Sequence, residues 1–224
     1  ERMATDSGKT ELDYAISLKM VLELREIKVS EITGAIIGSV VPPVTSLMRE
    51  AIRKVTGQEA LVVNVDMNIG LEVLMDNPSS VGTDLIVGAV AGINLYPVPL
   101  ILIDMGTATT ICVVNENKQY IGGMILPGIG VSMNSLTSRT AQLPRISLDP
   151  PKRLIGKNTV ECMQSGALYG NASCIDGMAD RIEEELGQKA TVVATGGLAR
   201  KIIPLCRHQI ELDDELLLRG LWII

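Results

Sequence analysis

At residues 100–114 the chain reads Leu100-Ile-Leu-Ile-Asp-Met-Gly-Thr-Ala-Thr-Thr-Ile-Cys-Val-Val114. Two apolar runs, Leu100–Ile103 and Thr110–Val114, flank a short polar turn and predict two buried strands. Because so few residues join them, the strands must be antiparallel neighbours. A third strand candidate, Tyr120–Leu126, follows after the short link at residues 115–118. The stretch therefore predicts an antiparallel meander.

Helices and strands alternate on both sides of this meander. Helix N-termini are indicated by Thr10 with Asp13 and by Asn158 with Glu161, both at capping-box spacing, and by the proline pair at Pro42. The predicted helices cover about residues 12–27, 42–57, 83–95, 130–139 and 159–187, and the other predicted strands cover 34–41, 60–65 and 191–194. Such alternation is typical of an α/β fold. A boundary near Tyr96 predicts two domains, residues 1–97 and residues 98–224.

The composition excludes several classes of function. The 224 residues include 20 basic and 26 acidic side chains, giving a formal net charge of −6, and only 2% are aromatic. A protein that coats nucleic acid needs an excess of Lys and Arg and aromatic stacking surfaces, so that class is disfavoured. The single histidine, His208, argues against His-rich zinc sites and against Ser-His or Cys-His catalysis. Acid–base chemistry is therefore left to carboxylates.

The sequence contains no membrane or export signal. Leu85–Ile103 is long enough to span a bilayer and carries no charge, but glycines and prolines interrupt it and no Lys or Arg flanks it. The four cysteines show neither C-x-x-C spacing nor a secreted pattern. We therefore expect a cytoplasmic protein with reduced thiols and no membrane partner.

The turn between the first two strands of the meander is a candidate phosphate and cation site. Asp104 ends an apolar strand, Gly106 permits a tight turn, and Thr107, Thr109 and Thr110 offer hydroxyls beside backbone N–H groups. A carboxylate suits a cation, while hydroxyl and amide donors suit phosphate oxygens. The same residues are also compatible with a Thr-rich β-turn whose aspartate bonds its own backbone.

A glycine pair after the strand at residues 191–194 supports the phosphate interpretation. Gly196 and Gly197 stand between a strand and a predicted helix, where backbone can approach a nucleotide closely. Two other glycine patterns are rejected. Gly8-Lys9-Thr10 has Met3 where a P-loop needs its first glycine, and Gly128-Ile-Gly130 has Met133 where a dinucleotide motif needs its third.

Short motifs that run in order along the chain carry a closer resemblance. They are Ser39-Val-Val-Pro-Pro43, Asp76-Asn-Pro78, Gly82-Thr-Asp84, Asp104–Thr110, Gly122-Gly123, Pro127-Gly-Ile-Gly130, Leu143-Pro144, Asn158-Thr159 with Gln164-Ser-Gly166, and Ala194-Thr-Gly-Gly197. Together they resemble type III pantothenate kinases, a family also described as Bvg accessory factors. The resemblance implies the two ribonuclease-H-like domains of the acetate kinase, Hsp70 and actin superfamily, with the first domain here lacking its N-terminal strands.

The resemblance also implies an activity. The reaction would be ATP-dependent phosphorylation of pantothenate to 4'-phosphopantothenate, the first step of coenzyme A biosynthesis, by a homodimer using ATP, Mg²⁺ and K⁺ (or NH₄⁺). By position, Asp84 matches the general base and Asp104 the monovalent-cation ligand. Substrate-binding positions fall on Met75, Gly82, Thr83, Asp84, Leu85 and Thr159. ATP-binding positions fall on Gly106, Thr107, Thr109, Thr110, Gly196 and Gly197.

The sequence departs from the family pattern at three places. Leu85 replaces an arginine beside the substrate, Met75 replaces a tyrosine, and the D-x-G-N-T phosphate motif would precede Glu1. We expect that motif to lie upstream of Glu1. The departures leave two alternatives open: a kinase of another small hydroxylated acid, and a non-catalytic regulatory homologue.

Overall fold

The computed structural model describes residues 1, 3–6 and 8–224, and it confirms the predicted α/β class. In chain order the elements are α1 (Glu11–Leu24), β1 (Ala35–Ile37), α2 (Pro42–Thr56), β2 (Ala60–Val62), β3 (Glu72–Val73), α3 (Thr83–Leu95), β4 (Leu100–Met105), β5 (Ala108–Val114), β6 (Gln119–Pro127), α4 (Ile129–Arg139), α5 (Thr159–Leu186), β7 (Thr191–Thr195), α6 (Ala199–Ile202), β8 (Glu211–Leu212) and α7 (Leu216–Ile223). Short 3-10 turns lie at Val29–Glu31, Pro78–Ser80 and Ile203–Leu205.

The chain forms two compact units. The first contains residues 1–68 and 79–87, and the second contains residues 69–78 and 88–224. Residues 69–78 and 88–97 thus make their contacts within the unit that holds the later part of the chain. The division into domains at residue 97 stays a prediction.

The first unit is a strand–helix–strand crossover packed against α1. Strands β1 and β2 are parallel, and α2 connects them. The capping box predicted at the start of α1 is confirmed, because the Asp13 N–H donates to Thr10 Oγ1 and the Thr10 N–H donates to Asp13 Oδ2. Buried Tyr14 of α1 packs with Ala51 of α2 in a small apolar core. Gly57, at a φ of 72°, ends α2 in a left-handed conformation that glycine adopts without strain.

The second unit is built on a mixed sheet with the strand order β3-β6-β5-β4-β7-β8. Strands β4, β5 and β6 form the predicted antiparallel meander, while β7 pairs parallel to β4 and β8 pairs parallel to β7. The order β6-β5-β4-β7-β8, with β5 running against the others, is that of a ribonuclease-H-like sheet. The central strand β4 therefore has neighbours on both sides, which agrees with its uninterrupted apolar sequence.

Helices cover both faces of this sheet. Successive side chains of a strand point to opposite faces. Ile101 and Ile103 join the core cluster that contains the apolar side of α5. Leu100 and Leu102 lie on the other face, where a Cβ added to Gly92 of α3 would come within 3.1 and 3.0 Å of their Cδ1 atoms. The helix α3 can approach the sheet this closely because Gly92 has no side chain.

A buried carboxylate fastens the last helix, α7. Asp213 Oδ2 accepts hydrogen bonds from the Tyr96 hydroxyl at 2.9 Å and from Arg219 Nη1 at 3.3 Å. Its Oδ1 accepts the Glu215 N–H at 3.0 Å. Burial, together with the Asp213 hydrogen bond and charge, raises the pKa of Tyr96 to about 12. The tyrosine hydroxyl therefore remains a donor at neutral pH.

Within the described part of the chain, no helix combines the length and the apolar content needed to cross a bilayer. The apolar helix α3 has 13 residues, and the chain leaves it at Leu95 to enter β4. A span needs roughly 20 residues.

Candidate functional site

The end of β4 and the turn after it bring several predicted site residues to one edge of the second unit's sheet. Asp104 lies opposite Thr110 of β5 and opposite Thr195 of β7 in the strand register. The Gly106 N–H donates to the Ala108 carbonyl at 3.0 Å, which closes a tight turn and leaves Gly106 and Thr107 exposed at its tip. The register therefore sets the carboxylate of Asp104 beside the turn that follows β7.

The glycine turn after β7 touches Asp104 directly. Gly196 has a φ of 98°, and a Cβ added there would lie 2.6 Å from both Asp104 Oδ1 and Met105 N. Only a residue without a side chain fits both the backbone angle and the space. Gly197 follows it, exposed, before α6 begins at Ala199. The two ATP motifs predicted from sequence, about 90 residues apart, are thus brought together.

A third glycine supports the same turn, and sequence reasoning missed its role. The Gly128 N–H donates to the Thr107 carbonyl at 3.1 Å, and a Cβ on Gly128 would overlap that carbonyl and lie 2.7 Å from the Gly106 carbonyl. The segment Pro127–Gly130 therefore packs against the β4–β5 turn just before α4 starts. Its place after β6 in a meander was the available signal, because it returns the chain to the edge where the turn lies.

The pleat separates the predicted ATP-binding threonines. Thr110, half-buried, is the cross-strand neighbour of Asp104 and shares its face. Thr109 points to the opposite face, is only 5% exposed, and has no hydrogen-bond partner for its Oγ1 within the described residues. Thr110 therefore lies on the side of Asp104 and Thr107 is exposed at the tip of the turn, whereas Thr109 lies toward the core beneath α5.

Asp84 lies in the first unit, in the first turn of α3. The Thr83 hydroxyl donates to the Ser39 carbonyl at 2.6 Å, which joins two predicted motifs that are 44 residues apart. Asp84 itself is exposed, and its Oδ1 accepts the Leu85 N–H at 2.9 Å. A Cβ on Gly82 would overlap Asp84 Oδ1, so this glycine gives the carboxylate room to fold back over the helix start.

Met75 lies in the second unit, beside β6. The preceding Leu74 donates its N–H to the Tyr120 carbonyl at 2.8 Å, which extends the pairing of β3 with β6. A Cβ added to Gly122 would lie 3.9 Å from Met75 Sδ. Gly122 pairs with Val113, several residues along β5 from Thr110. Met75 is therefore held by the sheet, at a distance from the β4–β5 turn.

Thr159 begins α5 at the rim of a cavity of about 740 Å³. Its lining is mainly apolar and comes from α4, from α5 and from the loop before α5, including Ile129, Met133, Leu136, Leu143 and Met163. Helix α5 covers the face of the sheet opposite to Asp104. The structure therefore does not bring Thr159 to the face that carries Asp104 and Thr110.

Two buried polar side chains of α5 anchor the loop at residues 141–157 that lines this cavity. Gln164 Nε2 donates to the Ser147 carbonyl at 3.2 Å, and the Ser165 hydroxyl donates to the Leu154 carbonyl. Both residues are 8% exposed. They belong to the predicted Gln164-Ser-Gly166 motif, but sequence reasoning gave them no role. Buried polar groups are usually hydrogen-bonded, and here the acceptors are backbone carbonyls of the loop.

Comparison with known proteins identifies the relatives of this chain. A family model described as type III pantothenate kinase matches residues 1–181. A protein of Bacillus cytotoxicus named type III pantothenate kinase is 44% identical over 223 residues, covering 100% of this chain and 85% of that protein.

Solved structures with partial similarity also exist. A conserved putative Baf family transcriptional activator from Campylobacter jejuni has a TM-score of 0.47 and 20% identity, covering 71% of this chain and 69% of that one. The ethanolamine utilization protein EutJ from Carboxydothermus hydrogenoformans has a TM-score of 0.44 and 16% identity, covering 100% of this chain and 77% of that one.

The close approach of Gly196 to Asp104 predicts that adding a single methyl group at residue 196 destabilises the protein. Gly196→Ala should lower the free energy of unfolding by about 2 kcal/mol or more, because it adds positive-φ strain to overlap with backbone. It should also weaken ATP binding. Thermal unfolding and calorimetric ATP titration measure the two effects. Gly34→Ala is the control, because Gly34 is exposed outside any helix, a Cβ there meets nothing within 4 Å, and both quantities should stay unchanged. Wild-type behaviour of Gly196→Ala would contradict the geometry.

Proposed function

This chain belongs to the type III pantothenate kinase family, and from that premise we propose how its residues carry out the family's reaction. The chain is a kinase, and the reaction is transfer of the γ-phosphoryl group of ATP to the hydroxyl of pantothenate, the first step of coenzyme A biosynthesis. The observation that carries the proposal is the junction of the β4–β5 turn with the Gly196 turn, where Asp104, two accessible threonines and glycine backbone meet.

The β4–β5 turn and the Gly196–Gly197 turn hold ATP in this proposal. Hydroxyls of Thr107 and Thr110 and nearby backbone N–H groups donate to phosphate oxygens. The glycines let the nucleotide lie against bare backbone. Phosphoryl transfer passes through a loose transition state, so the protein contributes mainly by positioning groups and stabilising charge. Mg²⁺, bound with the ATP phosphates, supplies neutralising charge on the transferred group.

Asp84 is the proposed general base. It is exposed in the first turn of α3. The hydrogen bond from the Thr83 hydroxyl to the Ser39 carbonyl fixes the backbone there, and Gly82 leaves room for the carboxylate. A carboxylate so held accepts the proton of the pantothenate hydroxyl and orients the attacking oxygen.

Asp104 is the proposed ligand of a monovalent cation. Hard cations take oxygen ligands, and the Asp104 carboxylate stands beside backbone of the Gly196 turn. Potassium or ammonium bound there would place positive charge next to the ATP phosphates and reduce repulsion among anionic groups.

We propose that the enzyme is a cytoplasmic homodimer. Exposed apolar side chains lie on α4, on α5 and on the loop between them, the segments that also line the cavity; they are Val131, Leu136, Leu154, Ile155 and Val160. Several large apolar side chains exposed on neighbouring segments are a feature of protein interfaces. Thr159 lies at the same surface, away from the face of Asp104, so a second copy would cover the region where Thr159 is expected to contact substrate. The substrates, pantothenate and ATP, are cytoplasmic solutes.

A second candidate substrate is another small hydroxylated acid. Leu85 and Met75 replace side chains that the family pattern places near pantothenate, and Leu85 offers no charge for a carboxylate. Regulation without catalysis, the other alternative, is not favoured, because the relative that is 44% identical is named as a kinase.

The role of Asp84 is tested by Asp84→Asn in a coupled ATP assay with full-length protein, pantothenate, Mg²⁺ and K⁺. Removing a general base typically costs about 100-fold to 10,000-fold in rate, so kcat should fall by at least about 100-fold. The KM for ATP should stay within about twofold. Asp66→Asn, an exposed aspartate of the same unit, is the matched control and should behave like wild type. Unchanged turnover in Asp84→Asn would refute the assignment.

The role of Asp104 is tested by exchanging cations. Turnover with Na⁺ in place of K⁺ should fall at least about tenfold, because the two ions differ in radius and in the number of oxygen ligands they take. Asp104→Asn should lose the difference between the two ions. Asp149→Asn, which alters an exposed aspartate of the same unit, should keep it. If the Asp104→Asn enzyme still prefers K⁺, the cation binds elsewhere and the assignment is wrong.

The identity of the substrate is tested with a panel of hydroxylated acids and the variant Leu85→Arg. Pantothenate should give the highest kcat/KM. An arginine at position 85 should lower its KM about tenfold, because a charge-assisted hydrogen bond contributes roughly 1.5–3 kcal/mol. A higher kcat/KM for a different acid in the wild-type enzyme would favour the second candidate.

A further inference from the structure

Three side chains of types that ligate metal ions form a cluster on the second unit. Asp180 and Glu183 project from α5, and His208 follows the 3-10 turn at Ile203–Leu205. One ligand atom from each lies within 4.8 Å of the other two, and His208 Nε2 is 2.8 Å from Asp180 Oδ1. We propose that these three side chains form a binding site for a divalent transition metal ion, with Zn²⁺ the best match.

The backbone that carries His208 is fixed independently of any metal. Asp176, one helical turn before Asp180, accepts the Arg207 N–H at 2.9 Å and the His208 N–H at 3.0 Å. Asp180 and Glu183 are three residues apart on a helix, which places them on one face. The histidine is therefore delivered to the two carboxylates by hydrogen bonds outside the cluster, and little ordering remains to be done when an ion binds.

The chemistry and exposure of the three ligands suit zinc. Imidazole nitrogen and carboxylate oxygen are both ligands of Zn²⁺, and water can complete a tetrahedron around three protein ligands. The His208 side chain is 17% exposed and that of Glu183 is 8% exposed, while the Asp180 side chain faces solvent. An open depression of about 650 Å³, lined by residues that include Asp180, Lys189 and His208, gives an ion access.

Lys189 occupies part of the site and is the group that an ion would displace. Its Nζ donates to Glu183 Oε2 at 2.5 Å, and the Ala190 N–H donates to Oε1 at 3.1 Å. Burial acts to raise the pKa of Glu183, but these hydrogen bonds and the charges of Lys189 and His208 outweigh it and lower the pKa. The Lys189 side chain is 84% exposed, so it can move into water, and the positive charge of the ion then replaces that of Lys189 beside Glu183.

This site is separate from the one proposed for ATP and the monovalent cation. Ala190, next to Glu183, immediately precedes β7, whereas Gly196 immediately follows β7. An extended strand rises about 3.3 Å per residue, so the two ends are about 20 Å apart. An ion at His208 would tie α5 to the segment that leads into β8. Its effect would be on stability, and phosphoryl transfer would not depend on it.

The test is a calorimetric titration of Zn²⁺ into metal-free protein, with Co²⁺ absorption as a second readout. We expect one Zn²⁺ per chain, a rise in the thermal unfolding midpoint, and visible Co²⁺ bands of low-coordinate geometry. His208→Gln and Asp180→Asn should each weaken binding at least tenfold. Asp180 is exposed, so its variant should fold even if His208→Gln does not. Lys189→Met should tighten binding, because it removes the competing charge.

The control is Glu184→Gln, which alters an exposed carboxylate on the same helix next to the cluster and should bind like wild type. Kinase turnover of His208→Gln should stay within about twofold of wild type. The proposal is overturned if metal-free protein binds no Zn²⁺, or if Asp180→Asn binds as tightly as wild type. It is also overturned if Glu184→Gln weakens binding as much as Asp180→Asn, since binding would then reflect general surface charge.

Discussion

The pairing of β4 with β5 on one side and β7 on the other is the constraint on which the second unit depends. It fixes Asp104 opposite both Thr110 and Thr195, at the point where β7 gives way to Gly196. Strand register is specified strongly where side chains are buried, because a slip of one residue would exchange the two faces of β4 and turn Asp104 toward the apolar core beneath α5. Core packing thereby sets the position of a carboxylate that itself lies at the edge of the core.

The same alternation assigns different tasks to the two faces of the sheet. Asp104 and Thr110 share the face of Leu100 and Leu102, whereas Thr109 and the core beneath α5 occupy the other. Thr159 begins α5 and so belongs to the second face. Glycines are placed where these layers approach closely, as at Gly128 and Gly196, because a single methyl group would push a turn away from Asp104 or Thr107.

Much of the fold could be predicted because its signals are local. The capping residues Thr10 and Asn158 mark helix starts through hydrogen bonds to backbone three residues away, and both bonds are present. The apolar runs of β4 and β5 are long enough to show their burial. Strands β3 and β8 have two residues each, too few for a period of two to appear, and pairing with β6 and β7 alone defines them. Helix α7 was not predicted either. Asp213, which precedes it, is held by a hydrogen bond from Tyr96, and that residue is distant in sequence.

For the site, the sequence by itself determined the chemical groups: a carboxylate after an apolar strand, threonines in a tight turn, a glycine pair before a helix, and a chain with one histidine. Only the tertiary structure decided which of them meet. Register joined Asp104 to Gly196, the pleat turned Thr109 inward, and α5 carried Thr159 to the opposite face. The physical reason is that residue type and spacing act over a few positions, whereas facing and proximity follow from strand pairing and layer packing between segments far apart in the chain.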